Sequence, residues 1–381
     1  MAVASKNKLR RYPSVDDMLM ALNPSYPVMC FWPDLCADVV RQFTSGFPGK
    51  VMYAVKCNPH PTMLSAIYDA GIRSFDTASL GEIALINELF DDVSCYFNHP
   101  VKGRAAIESA VRVFGIRDFV VDHPAELDKL TAIAQPDAAI QVRLRTPSGV
   151  ATFDLSAKFG ADPAMAVELL QSVAARGYRP ALSFHVGSQC VVPKAYRTAL
   201  EIVADIIDKS GVTPAYINVG GGFPACGMEQ TPPPLGDYFD EIRKASAQFG
   251  FSGEIPLICE PGRAIVARAA SLVVQVHLRK DDRLYLNDGI FGCLSELVYG
   301  GIIPPMRPIR MGKSHSDELQ PFTLFGPTCD SSDVAPSQFA LPADMTEGDW
   351  IEIRDIGAYS NALQTSFNGF RTDTFVEIQP S

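Results

Sequence analysis

Short runs of β-branched and aromatic residues recur along the chain, separated by longer stretches in which apolar residues return with helical spacing. Eight such runs, at 51–55, 73–76, 93–97, 118–121, 139–144, 181–186, 215–219 and 256–259, precede a change of pattern. Between them lie amphipathic segments such as 62–70, 80–90, 164–175 and 196–209, with Gly71 placed to stop the first. Strand alternating with helix predicts a parallel sheet, and eight units in roughly 220 residues predict a closed (β/α)8 barrel. After Arg263 strand follows strand, at 270–278, 283–286, 322–324, 349–353 and 375–378, broken by Gly and Pro turns. An earlier strand at 28–32 completes the prediction of a second, all-β domain that borrows a strand from the N-terminal segment. The expected division is a barrel over 38–268 and a β domain over 1–37 and 269–381. The stretch 300–320, rich in Pro and basic residues, reads as a long loop of the kind that often carries function.

Composition narrows the class. At 381 residues, 47% apolar and 20% charged, the chain has the balance of an ordinary globular protein and enough length for one large and one smaller domain. No run of apolar residues is long enough for a membrane span, and the first dozen residues are basic without an apolar core, so a cytoplasmic protein free of a membrane anchor is expected. Nine cysteines without a Cys-x-x-Cys pair fit reduced thiols, most of them in the core, rather than a disulfide framework or a metal site. A net charge of −10 with no basic stripe argues against nucleic acid, and slightly favours a cationic small molecule.

In a barrel, reactive side chains are sought just after each strand. The first apolar run delivers Lys56; partial burial there disfavours the ammonium and lets the amine form an imine with a carbonyl. Taken alone, Lys56 is better explained as an ordinary loop lysine. The sixth run leads into His185 and Ser188, and the seventh into Gly220, Gly221 and Gly222, whose backbone N–H groups can approach an anion. A tight strand-to-helix turn accounts for three glycines as well, and their spacing is not that of a dinucleotide site. The eighth run ends in Glu260 and Arg263, a carboxylate and a guanidinium able to serve opposite ends of one ligand or to pair with each other. What favours chemistry is that all of these fall at strand ends of a single barrel.

The motifs Tyr53-Ala-Val-Lys56-Cys-Asn, Phe75-Asp-Thr-Ala-Ser79, Lys158-Phe-Gly160, His185-Val-Gly-Ser188, Gly220-Gly-Gly-Phe-Pro224, Glu260-Pro-Gly-Arg263, Gly326-Pro-Thr-Cys-Asp330 and Gly357-Ala-Tyr-Ser360 resemble, in order, those of the ornithine and diaminopimelate decarboxylase family. The Cys329-Asp330 pair and the ending Phe367-Asn-Gly-Phe370 resemble the ornithine-type branch. The resemblance implies pyridoxal 5'-phosphate as cofactor, with Lys56 holding it as a Schiff base, Glu260 at the pyridine nitrogen and His185 on the ring face. It implies a phosphate site made of Ser188, Gly221, Gly222, Arg263 and Tyr359, with Asp76, Glu82 and Arg143 elsewhere around the cofactor. Cys329 would return a proton after carbon dioxide leaves, and Asp330, with Tyr299 nearby, would meet the substrate. The implied assembly is a homodimer with shared sites.

The implied reaction is decarboxylation of a basic diamino acid such as ornithine or lysine to a diamine, as in polyamine biosynthesis. One departure bears on substrate: ornithine-type members commonly carry a second acidic residue where this chain reads Tyr299-Gly300-Gly301. The glycines leave the distal amine one contact short, which Gly300→Asp would restore. They also leave room for a larger or carboxylate-bearing substrate, whose carboxylate Arg307, Arg310 and Lys313 could meet, although a solvated loop is the better reading of those three. A non-catalytic regulatory homologue and an alanine racemase share parts of this layout, although joint retention of Lys56, Glu260 and Cys329 fits a decarboxylase better.

Overall fold

The computed structural model describes residues 8–146, 158–225, 231–251 and 253–379. Eight parallel strands close into a barrel in chain order: Lys50–Ala54, Ser74–Thr77, Ser94–Phe97, Asp118–Val121, Ala139–Arg143, Arg179–Ser183, Ile217–Asn218 and Leu257–Cys259. Closure is made by the first and eighth, with Ile258 opposite Lys50 and Cys259 opposite Val51. Each strand lies at or within a few residues of an apolar run in the sequence. The intervening helices start where a polar cap precedes an apolar face: Ser79 accepts from the Glu82 N–H, and Asp162 from the Met165 N–H. The helix Pro61–Asp69 ends at Ala70, followed by Gly71 at φ 114°, a left-handed geometry that glycine adopts without strain.

Side chains two apart on a strand share a face, and that period builds the barrel interior in layers. Met52, Tyr96, Ala139, Ala181, Tyr216 and Ile258 form a small apolar cluster separate from the larger core. Two residues further along the same strands come Asn98, Gln141, Asn218 and Glu260, a polar layer nearer the strands' C-terminal ends. The larger apolar core lies between strands and surrounding helices and runs on into the second domain.

That second domain is a mixed nine-stranded sheet containing Arg10–Tyr12 and Val28–Phe31 from the N-terminal segment. Its central strand, Ala270–Lys280, pairs antiparallel with Val28–Phe31, Arg283–Leu286 and Trp350–Ile353. The helix Val15–Leu22 covers part of it, burying Val15, Met18 and Leu19 against Val28, Val273, Trp350 and Val376. The expected 300–320 loop is partly strand: Met306–Ile309 pairs with Trp350–Ile353, and Leu319–Phe325 begins before the loop would have ended. Arg307 is committed to Asp16 (2.7 Å) and Glu352 (2.8 Å), and Arg310 to Asp344 (2.6 Å) and Asp349 (2.7 Å). These two arginines tie the sheet together, which overturns the idea that they await a substrate carboxylate.

The two domains meet at the first barrel strand's end. The Tyr359 N–H donates to the Cys57 carbonyl (2.8 Å), and the Asn58 side chain donates to the Gly357 carbonyl (2.9 Å). Residues on either side of Lys56 are thus clamped to the second domain, and Tyr359 is carried into the barrel mouth.

Candidate active site

A cleft of about 480 Å³ opens at the C-terminal ends of the barrel strands, lined by Lys56, Arg143, His185, Ser188, Gly221, Gly222, Glu260, Arg263, Tyr299 and Tyr359. A cavity of comparable volume, about 540 Å³, lies at the other end of the barrel around Lys50, Asp118 and Tyr216. Only the first is walled by the loops that follow the strands, where a barrel carries its reactive groups.

Lys56 leaves the first strand in a single 3-10 turn, Val55–Cys57, which aims its amine across the barrel mouth. Its Nζ donates to Oδ2 of the buried Asp76 at 2.9 Å, while 43% of the side chain remains accessible from the cleft. Enclosure alone would lower the ammonium's pKa, but the Asp76 carboxylate, helped by Tyr359 and Glu260, outweighs it and holds Lys56 above its ordinary range. For this amine to attack a carbonyl it must lose a proton, and Asp76 is the acceptor within reach. The other Asp76 oxygen is buried without a hydrogen bond among the described residues.

Glu260 follows the eighth strand. Asn98 and Asn218 both donate to its Oε1, at 2.6 and 2.5 Å. Gln141 links the two asparagines, donating to Asn98 Oδ1 (2.8 Å) and accepting from Asn218 Nδ2 (2.9 Å). The pattern fixes which way each amide faces. Burial, reinforced by the Asp76 charge, pushes the Glu260 carboxyl up to about 7 against the pull of Lys56, Asn218 and Arg143. Oε2 has no hydrogen bond among the described residues, and Glu260 is one of the residues that line the cleft. A cation there would complete it.

The His185 Nδ1 accepts from the Gly187 N–H at 3.1 Å, which places the proton of the neutral ring on Nε2. Burial, with Arg143 and Lys56 adding to it, pushes its pKa down to about 3, so the ring is an uncharged flat wall at any ordinary pH. The glycine turn follows the seventh strand, beside the eighth, where the Glu260 N–H donates to the Gly220 carbonyl at 2.8 Å. Gly220 and Gly222 have φ of 70° and 100°, and a Cβ on either would fall 2.1 Å from Phe184 O or 2.5 Å from Gly187 O. No side chain fits, so the backbone itself forms the wall. Arg263, also lining the cleft, stands over the Tyr359 ring at 4.9 Å and 2.6 Å from Glu296 Oε2, its buried Nε without a hydrogen bond among the described residues.

A carboxylate with a free oxygen, a flat neutral wall, a lysine amine, and a glycine cradle with an under-used guanidinium suit a planar cationic ring carrying a phosphate at its far end. The residues fit pyridoxal phosphate.

Cys329 and Asp330 do not line this cleft. Both are exposed, the Cys329 N–H accepted by Asn368 Oδ1 (2.9 Å) and Asp330 bonded to Ser332. Glu82 is a capping residue whose Oε2 accepts from the Ala78 N–H at 2.7 Å. The amide layer of Asn98, Gln141 and Asn218, and the cleft residue Glu296, were not anticipated from the sequence. The layer could have been found by extending each strand's inward phase by one more residue of the same face.

Residues 35–267 match the family described as pyridoxal-dependent decarboxylase, pyridoxal binding domain. The lysine/ornithine decarboxylase of Selenomonas ruminantium is 32% identical over 330 residues, covering 84% of this chain and 81% of that protein. Antizyme inhibitor 2 of Xenopus laevis is also 32% identical, over 365 residues, covering 88% and 77%. The crystal structure of the Paramecium bursaria Chlorella virus arginine decarboxylase superposes with a TM-score of 0.86 at 29% identity, covering 96% of this chain and 99% of that one.

The raised Glu260 carboxyl has a consequence for the ligand-free protein. Its proton is held more tightly folded than unfolded, so the stability it contributes is complete below 4.5 and lost as pH rises through about 7. Unfolding free energies of wild type and Glu260→Gln should therefore diverge across that window, wild type losing about 3 kcal/mol relative to the variant. A difference that does not change with pH would contradict the burial of this carboxyl.

Proposed function

The chain belongs to the pyridoxal-dependent decarboxylase family, and on that premise we propose that it decarboxylates a basic diamino acid, ornithine or lysine, to the corresponding diamine. The protein is a pyridoxal-phosphate-dependent carboxy-lyase of the ornithine, lysine and arginine type. The observation that carries the site assignment is Lys56, 2.9 Å from a buried carboxylate and facing Glu260, itself held by two amides.

When bound, the cofactor supplies an electron sink for the carbanion left by departing carbon dioxide. Lys56 anchors it, and Asp76 takes up or returns the lysine's proton. Glu260, its Oε1 fixed by Asn98 and Asn218, would hold the cofactor's ring nitrogen and favour its cationic form. The neutral His185 ring would pack against the cofactor without competing for charge. Ser188, the N–H groups of Gly221 and Gly222, Arg263 and Tyr359 hold the phosphate. Arg143 adds positive charge at the cleft wall.

Cys329 and Asp330 act, in this reading, from a second copy of the chain. Their exposure and their absence from the cleft formed by Lys56 support a two-fold dimer in which one subunit's second domain covers its partner's barrel mouth. Cys329 then delivers a proton to the carbon that lost carbon dioxide, and Asp330 faces the substrate's distal ammonium.

Similarity to an antizyme inhibitor favours a second reading, a regulatory homologue that has lost catalysis. Lys56, Glu260 and Cys329 have no shared purpose in such a protein. Carbon dioxide release separates the two: ornithine or lysine should support it, and borohydride should leave a phosphopyridoxyl mass on the peptide containing Lys56. Release from none of ornithine, lysine, arginine and diaminopimelate would support the regulatory reading.

The shared site is tested by mixing. Lys56→Ala and Cys329→Ala proteins, each inactive, should regain up to about one quarter of wild-type activity after subunit exchange, since about half of the dimers are mixed and each mixed dimer has one intact site. Demonstrated exchange without recovered activity would refute the shared site.

A further inference from the structure

Glu296 opens the short helix Glu296–Tyr299, is only 7% exposed, and lines the same cleft as Lys56, Glu260 and Tyr299. Its Oε2 lies 2.6 Å from Arg263 Nη2, yet neither that oxygen nor the arginine Nε has an aligned hydrogen bond among the described residues. The pair is in contact but poorly satisfied. Arg263 stands at the glycine cradle, and a guanidinium engaged by a phosphate has less to offer a second anion. Glu296 is then a buried carboxylate in need of a cation, since burying a charge without one is costly.

Its location supplies the cation. Residues 296 and 300 are four apart and so lie over one another on the same helical face. A Cβ placed on Gly300 would fall 2.6 Å from Glu296 Oε2 and 2.6 Å from the Glu296 carbonyl. The Glu296 carboxylate therefore occupies the space where a side chain at position 300 would begin, the position at which ornithine-type members resemble one another in carrying an acid. Glycine at 300 is what leaves room for it.

We infer that Glu296 supplies the anionic contact for the substrate's distal ammonium, replacing the acid that position 300 lacks. The inference rests on the diamino-acid reading above and makes Glu296 the specificity-determining residue of that site. It also reverses the expectation for Gly300→Asp: the new side chain collides with the Glu296 carboxylate and main chain, and diamine binding weakens rather than improves.

The test uses cofactor-loaded protein and binding rather than turnover. Putrescine and cadaverine are titrated calorimetrically against butylamine, which has the alkyl chain but no second ammonium, in wild type, Glu296→Gln and Glu296→Asp. Cofactor content is checked by absorbance in each. Wild type should prefer the diamines by roughly tenfold or more, a preference expected to fall at least fivefold in Glu296→Gln and to be partly kept in Glu296→Asp, as for a charge-assisted contact. A wild-type preference that survives in Glu296→Gln overturns the inference alone and leaves the proposed function standing. Tighter cofactor binding in that variant with an unchanged preference also overturns it, and shows Glu296 to serve only Arg263. No diamine preference in wild type, together with no carbon dioxide from any diamino acid, overturns the underlying reading.

Discussion

A carboxylate taken out of water loses hydration worth several kcal/mol, and it survives in a protein only where hydrogen bonds or a cation replace that water. Glu260 stands where the eighth strand leaves the barrel, and the amides of Asn98 and Asn218, joined by Gln141, supply the replacement. They satisfy one of its oxygens and leave the other without a hydrogen bond among the described residues, in a side chain that lines the cleft. Most of the site follows from this arrangement. Because the amides are neutral, the carboxyl remains proton-hungry until a cation arrives, and its place on a rigid strand end fixes where that cation must sit.

The remaining wall residues divide by charge along the cleft. Asp76 holds the Lys56 amine and Glu260 adds negative charge near it, while Gly221, Gly222 and Arg263 line the same cleft and suit an anion. Between them the His185 ring is kept neutral by burial and by two cations. A ligand that is cationic at one end, planar in the middle and anionic at the other meets complementary groups throughout. The second domain contributes Tyr359 through the hydrogen bonds that clamp residues 357 and 359 to the loop around Lys56, so cofactor binding and domain docking share the same few residues.

Much of this was legible in the sequence because barrels put chemistry at strand ends. Lys56, His185, the three glycines, Glu260 and Arg263 each follow an apolar run, and each lies at the barrel mouth. The amide layer escaped notice because a lone Asn or Gln at the end of a β run reads as an interruption, although Asn98, Gln141 and Asn218 stay in phase with the inward-facing Tyr96, Ala139 and Tyr216. Three strands were missed: Arg10–Tyr12, a three-residue basic piece with no apolar run, and two others for a reason related to the amides. Met306–Ile309 contains Pro308 and Val334–Pro342 contains Pro336, residues that suggest loop but are tolerated where a strand lies at a sheet edge. Glu296 was invisible because only the folded turn brings it over Gly300.

The account depends on Glu260 keeping the cofactor's ring nitrogen protonated. The most direct measurement is the nitrogen-15 chemical shift of ring-labelled pyridoxal phosphate bound to wild type and to Glu260→Gln. A protonated nitrogen in wild type that becomes unprotonated in the variant is the predicted result. An unprotonated nitrogen in wild type, or one whose protonation is the same in both proteins, would contradict it.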